Sequence, residues 1–213
     1  MEGSCYIFGA GQATRPLPRI QAADLVIAAD GGYAYAIEAG LRVDVLIGDF
    51  DSLSALPPEG PLVRRLPKEK DETDMLAAIQ YGLEKDFSRF HIYGGTGGEI
   101  DHTLANIQCL LYLAKRGARG YLYGSGCMIT ALRGEVWLAP QESGTISLFA
   151  IGGGASGVCL RGLQYELEDA TLQPDFPLGA RNACIGKPVY IRVADGILGM
   201  VCPIGTKELT KAQ

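Results

Sequence analysis

Up to about residue 125 short apolar runs alternate with amphipathic stretches; beyond it the apolar runs continue and the amphipathic stretches stop. The runs "CYIFGAG", "DLVIAADGG", "VDVLIGDFDS", "PLVRRLP" and "RFHIYGGTGG" read as strands that end in glycine, proline or a carboxylate. "GGYAYAIEAG", "DETDMLAAIQYGLEKD" and "DHTLANIQCLLYLAKRG" read as helices. The second of these places Met75, Ala78, Ile79, Gly82 and Leu83 on one face, and the third does the same with Leu104, Ile107, Leu111 and Ala114. Strand and helix in alternation argue for a parallel sheet covered by helices.

After Gly124 the segments "GCMITALRGEVWLAP", "GTISLFAIGG", "SGVCLRGLQYELED", "KPVYIRVADG" and "ILGMVCP" are β-type and separated by turn residues. Asp195-Gly196 between two apolar runs predicts a hairpin. The expected fold class is therefore α/β, with an N-terminal Rossmann-like parallel-sheet domain over residues 1–125 and a C-terminal antiparallel β-sandwich domain over residues 126–213.

Composition narrows the class of partner. The chain has 213 residues, 47% hydrophobic and 20% charged, with a net charge of -5 and no block of lysines and arginines. Nucleic acid and anionic membrane are poor partners for such a surface, and a small ligand is the better expectation. The N-terminal stretch lacks a signal-type apolar core and no apolar run is long enough to span a bilayer, so a cytoplasmic location is expected. The six cysteines form no CxxC pair, which suits reduced, buried thiols.

Acidic or glycine-rich clusters fall at the predicted strand ends: Asp30-Gly31-Gly32, Asp49 to Ser52, Asp71 to Asp74, and Gly94 to Gly98 followed by Asp101-His102. In a parallel sheet these ends share one edge, where ligands bind. Magnesium is a hard cation held by carboxylates and substrate phosphates, which Asp49, Asp51 and Asp74 can supply. The glycines of "GGTGG" let phosphates approach backbone N–H groups, and the helix starting near Asp101 adds its positive end. Each cluster also has a purely local reading. Asp71, Asp74 and Asp101 fit helix N-caps or first-turn acids, and the glycines fit tight turns. Asp49 and Asp51 resist it, because in an extended segment they point the same way and repel without a cation. His91 reads as a core or rim histidine and Trp137 as packing, whereas His102 stands at a helix start within reach of a ligand. No GxxxxGK[ST] is present, and "GAGQAT" lacks the third glycine of a dinucleotide fingerprint.

The motifs "AADGG", "GDFDS", "KDETD" and "GGTGGEIDHTLANI", in this order and followed by "GLQYELEDATL", "LGARN" and "DGILGMV", resemble thiamine pyrophosphokinase over nearly the whole chain. The resemblance implies a homodimer that transfers the pyrophosphoryl group of ATP to thiamine and releases AMP. It implies magnesium at Asp49, Asp51 and Asp74, and Asp101 close to the reacting groups. Nucleotide and phosphates would be lined by Asp30, Gly31, Gly32, Asp71, Thr73, Gly94, Gly95, Gly97, Gly98 and His102, and thiamine would be held with Asn182 where two subunits meet, the C-terminal domain serving both. Two positions depart from the family's pattern: Glu99 stands where an arginine is usual and Arg181 where a serine is usual. The exchange suggests that Arg181 pairs with Glu99 or supplies the missing charge. A magnesium-dependent hydrolase or transferase with another acceptor, and a binding protein without turnover, remain the alternatives.

Overall fold

The structure, a computed structural model, describes residues 3–50, 60–69 and 71–209. The chain divides into two compact units, Met1–Ser125 and Gly126–Gln213.

The first unit is built on strands β1 (Cys5–Phe8), β2 (Leu25–Ala29), β3 (Val45–Gly48), β4 (Leu62–Arg65), β5 (Arg89–Tyr93) and β6 (Arg119–Tyr123), with helices α1 (Gly32–Glu38), α2 (Asp74–Glu84) and α3 (Ile100–Lys115). The strands lie in the order β6-β5-β1-β2-β3-β4 and every pairing is parallel. The chain runs outward from β1 to β4, crosses back through α2, and resumes at β5 on the other side of β1. The order therefore reverses between β1 and β5, the place where open parallel sheets leave a crevice. The strand "RGYLY" was not anticipated: it is short and opens on an Arg-Gly step that carries no strand signal.

Helices α2 and α3 cover one face of this sheet. A Cβ on Gly82 of α2 would lie 2.5 Å from the Phe90 ring and 2.9 Å from Cys5 Sγ, and one on Gly120 would lie 2.7 Å from Leu113 of α3, so helices and strands touch through glycine. The buried face of α3 matches the expected one only in part: of Leu104, Ile107, Leu111 and Ala114, only Ala114 is buried. Asn106, Cys109, Leu110, Leu113 and Ala114 point inward, while Leu104 is 58% exposed and Ile107 and Leu111 are half-buried. The helix carries apolar residues on two adjacent sides, and the side packed on the sheet is the one that includes Asn106.

The opposite face carries an aromatic ladder. Tyr6 stacks on His91 at 4.8 Å, His91 on Tyr121 at 5.2 Å, Phe8 on Tyr93 at 5.4 Å and Tyr93 on Tyr123 at 4.5 Å, and Tyr35 of α1 meets Phe8 edge-on. Nδ1 of His91 lies 2.8 Å from the Tyr123 hydroxyl. Burial, with a smaller contribution from Arg89, pushes the His91 pKa down to about 4. His91 is thus a hydrogen-bonded interior histidine.

The second unit is antiparallel. It contains β7 (Cys127–Leu138), β8 (Thr145–Ala150), β9 (Ala155–Arg161), β10 (Leu167–Leu172), β11 (Gly179–Ala183), β12 (Val189–Pro203) and β13 (Glu208–Leu209). Along β12 one neighbour is β7 throughout; on the other side β9 pairs with its first half and β8 with its second. Alternate residues such as Ile146, Leu148, Val158, Leu160, Ile191 and Met200 form the core. The expected hairpin at Asp195-Gly196 does not form. Both halves of β12 continue in one direction along β7, and the register shift between Val193 and Leu198 marks a bulge inside a single strand of 15 residues. Gly196 adopts φ +95, and a Cβ there would lie 2.5 Å from Gly154 O, so the glycine serves a close backbone approach rather than a turn. Trp137 is 40% exposed and lies tilted against Tyr190, with ring centres 4.7 Å apart, rather than entering the core. The described cysteines are all free, and all but Cys127 are buried.

Candidate active site

A cleft of about 530 Å³ opens at the carboxyl ends of the strands in the first unit. Its walls combine two kinds of segment, and each is placed by the local fold.

The glycine segments follow β1 and β5, the strands at the reversal. Beyond β1 the backbone stays paired with the residues beyond β5: Gly9 N–H donates to Tyr93 O at 2.8 Å, Gly11 N–H to Gly94 O at 2.7 Å and Gln12 N–H to Thr96 O at 2.8 Å. Gly94 has φ +64, and a Cβ on it would lie 2.2 Å from Gly9 O, so this crossing admits only glycine. The loop is held from below by Asn106, whose Nδ2 donates to Gly95 O at 2.8 Å. Gly9, Ala10 and Gly11 line the cleft with Gly94, Gly95, Thr96 and Gly98. "GAG" carries no dinucleotide fingerprint, yet the parallel pairing of β1 with β5 brings it to the site.

The acidic segments follow β2 and β3 and precede α2. Asp30 ends β2 with φ 45, its N–H donating to Ile47 O at 2.8 Å, and Asp49 follows β3. Phe50, next to Asp49, is buried at φ 63, and the Arg65 guanidinium lies 5.3 Å from its ring centre while donating weakly to Asp49 O at 3.4 Å. Thr73 is the N-cap of α2, its hydroxyl accepting from Leu76 N–H at 3.2 Å, which puts Asp74 in the first turn and the helix's positive end at the cleft.

Of the expected site residues, Asp30, Asp49, Thr73, Asp74, Gly94, Gly95, Gly98 and His102 line this one cleft. Gly31, Gly32, Asp71, Gly97 and Asp101 do not. Gly32 instead seats α1 against β1, where a Cβ would lie 1.9 Å from Phe8 O. Asp101 is exposed in the first turn of α3 and accepts from His102 N–H at 2.7 Å. Glu99, Asp101 and His102 form an exposed cluster at the start of that helix, with His102 Nε2 3.7 Å from Glu99 Oε2. Asp51 lies outside the described residues. Residues that sequence reasoning did not single out also line the cleft, among them Lys68, Glu72 and Asn106. Lys68 and Glu72 sit within the charged run "KEKDET", a pattern that ordinarily reads as a solvated face.

Asn182 lies in the second unit, 6% exposed. Its Oδ1 accepts from Tyr165 N–H at 2.9 Å and its Nδ2 donates to Tyr165 O at 2.6 Å, so both ends of the amide hold one turn. Tyr165 itself is 65% exposed. Arg181 is exposed at φ 57, with its N–H donating to Ser147 Oγ at 2.9 Å.

The family model for the thiamin pyrophosphokinase catalytic domain matches residues 18–122, and that for the thiamin pyrophosphokinase vitamin B1 binding domain matches residues 135–198. A thiamine pyrophosphokinase of Bacillus subtilis is 29% identical over 184 residues, which cover 83% of this chain and 86% of the relative. The crystal structure of thiamine pyrophosphokinase from Bacillus subtilis superimposes with a TM-score of 0.83 at 26% identity, over 95% of this chain and 99% of that one. That of thiamin pyrophosphokinase from Candida albicans gives 0.74 at 14% identity over 95% and 89%, a likeness of fold. With both domains matched in order across most of its length, the chain belongs to the thiamine pyrophosphokinase family.

Proposed function

We propose that this protein transfers the pyrophosphoryl group of ATP to the hydroxyl of thiamine, forming thiamine diphosphate and AMP. The observation that carries the reading is the meeting of carboxylates Asp49 and Asp74 with the glycine segments Gly9–Gly11 and Gly94–Gly98 in one cleft. Oxygen donors beside exposed backbone are the surroundings that a magnesium polyphosphate needs.

The thiamine hydroxyl oxygen attacks the β-phosphorus of ATP in line. The new O–P bond forms as the bond from the β-phosphorus to the α,β-bridging oxygen breaks, and that oxygen leaves with AMP. Asp101, outside the cleft lining but next in the chain to the lining residue His102, would orient the hydroxyl or accept its proton as thiamine binds. The glycine segments cradle the phosphates and fix the angle of attack, and the first turn of α2 adds its partial positive charge. Asp49, Asp51 and Asp74 would hold magnesium, an all-oxygen set that suits this ion. When bound, it offsets the charge on the phosphate oxygens. Asp30 and His102 border the nucleotide. In the second unit, Asn182 acts on thiamine through the turn of Tyr165 that it clamps, and a second subunit completes the thiamine site, so the working form is a homodimer. No described helix is long and apolar enough to cross a membrane, and the reaction is assigned to the cytoplasm.

The test follows the adenosine product of the purified protein with ATP and magnesium, with and without thiamine. AMP that appears only with thiamine, in step with thiamine diphosphate, is the expected result. ADP, or AMP formed without thiamine, moves the assignment to a hydrolase or another acceptor, and binding without turnover moves it to a ligand-binding protein.

A further inference from the structure

The cleft has an unbalanced charge. Among the described residues that line it are five carboxylates, Asp30, Asp49, Glu72, Asp74 and Glu99, and a single lysine or arginine, Lys68. A polyphosphate entering it meets carboxylates that repel it, and one divalent cation offsets only part of its charge. Lys68 stands on the segment between β4 and α2, which also contributes Glu72, Thr73 and Asp74 to the wall. Its side chain is exposed, and its ammonium group carries three donors, so it can meet a phosphate without giving up another partner. We propose that Lys68 binds the terminal phosphates of the nucleotide, supplying the positive charge that no other described lysine or arginine brings to the cleft.

The terminal phosphates are favoured over the one retained in AMP. Lys68 shares its wall with Asp74 and the cleft with Asp49, and a metal held by these carboxylates would offset charge on the phosphates that are transferred rather than on the one AMP keeps. Glu99 sharpens the requirement, since it places a further negative charge at the rim. Lys68 is then a substrate-binding residue that discriminates by phosphate number. The inference rests on the nucleotide reading above, but it can fail separately.

The test is calorimetric titration of ATP and of AMP, with magnesium present, into the wild-type protein and into the variants Lys68→Met, Lys68→Arg and Lys85→Met. Lys85, at the far end of α2, controls for the loss of one surface charge. Lys68→Met is expected to weaken ATP roughly tenfold or more, the worth of a charge-assisted hydrogen bond, and to leave AMP unchanged. Lys68→Arg restores most of the loss and Lys85→Met causes none. ATP binding by Lys68→Met at wild-type strength overturns the inference, as does an equal loss for ATP and AMP. A wild-type protein that binds ATP but makes no thiamine diphosphate overturns only the catalytic reading, and one that binds neither nucleotide overturns both.

Discussion

Asn106, buried in α3, donates a 2.8 Å hydrogen bond to the carbonyl of Gly95 and so ties the interior of the helix to the glycine loop of the cleft. A buried carbonyl left without its donor costs about 1–3 kcal/mol. Asn106→Leu is expected to lower stability by that order and to raise the KM for ATP more than it lowers kcat, because the loop that it positions is a binding element. Thermal unfolding and steady-state kinetics check this. A variant with wild-type KM would show that the loop keeps its shape without the bond.

Asp49→Asn and Asp74→Asn keep the shape of the side chain and remove the charge. Each is expected to reduce kcat at least about a hundredfold while circular dichroism and melting temperature stay near wild type. Chelation of magnesium should abolish turnover reversibly in the wild-type protein. Retained activity in either variant would remove that residue from the metal site.

Asp44 offers the contrasting case. It lies just before β3, at the end of the strands away from the cleft, and its Oδ2 accepts from Val26 N–H at 2.8 Å while Arg42 approaches to 3.2 Å. Asp44→Ala is expected to destabilise the fold by about 1–2 kcal/mol and to leave nucleotide affinity unchanged. Denaturant unfolding with ATP titration separates the two effects.

His91 makes stability depend on pH. Folding lowers its pKa from 6.5 to about 4, so between these values the unfolded chain takes up a proton that the folded chain refuses. The contribution is complete above about pH 6.5 and is lost as pH falls toward about 4, by as much as about 3 kcal/mol. His91→Phe keeps the stack between Tyr6 and Tyr121 and removes the titration. The difference in urea midpoint between about pH 7 and about pH 5 should then shrink relative to wild type. An unchanged difference would assign the acid sensitivity to other groups.

Much of this was legible in the chain. The alternation of apolar runs with amphipathic stretches announced a parallel α/β unit, and acidic and glycine-rich strand ends pointed to one crevice, because a parallel sheet collects those ends on one edge. The family motifs added the order in which those pieces recur. What local pattern could not decide were choices between equivalent signals. Asp195-Gly196 satisfies a hairpin and a bulge alike, and only pairing of both halves of β12 with β7 selects the bulge. Helix α3 has two apolar sides, and the one packed on the sheet is seen only in the fold, where Leu110 and Leu113 are buried and Asn106 bonds to Gly95.

The placement of Gly9–Gly11 and Lys68 at the site belongs to the tertiary structure alone. "GAG" is an ordinary strand end until β5 lies beside β1, and Lys68 is one charge in a polar run until the segment before α2 is drawn to the cleft. Sequence by itself determined most of the strands and helices and the places where carboxylates and glycines cluster, since both follow from local periodicity and residue type. Which of those segments meet was decided by strand order, because hydrogen bonding between distant strands sets the neighbours that no local pattern encodes.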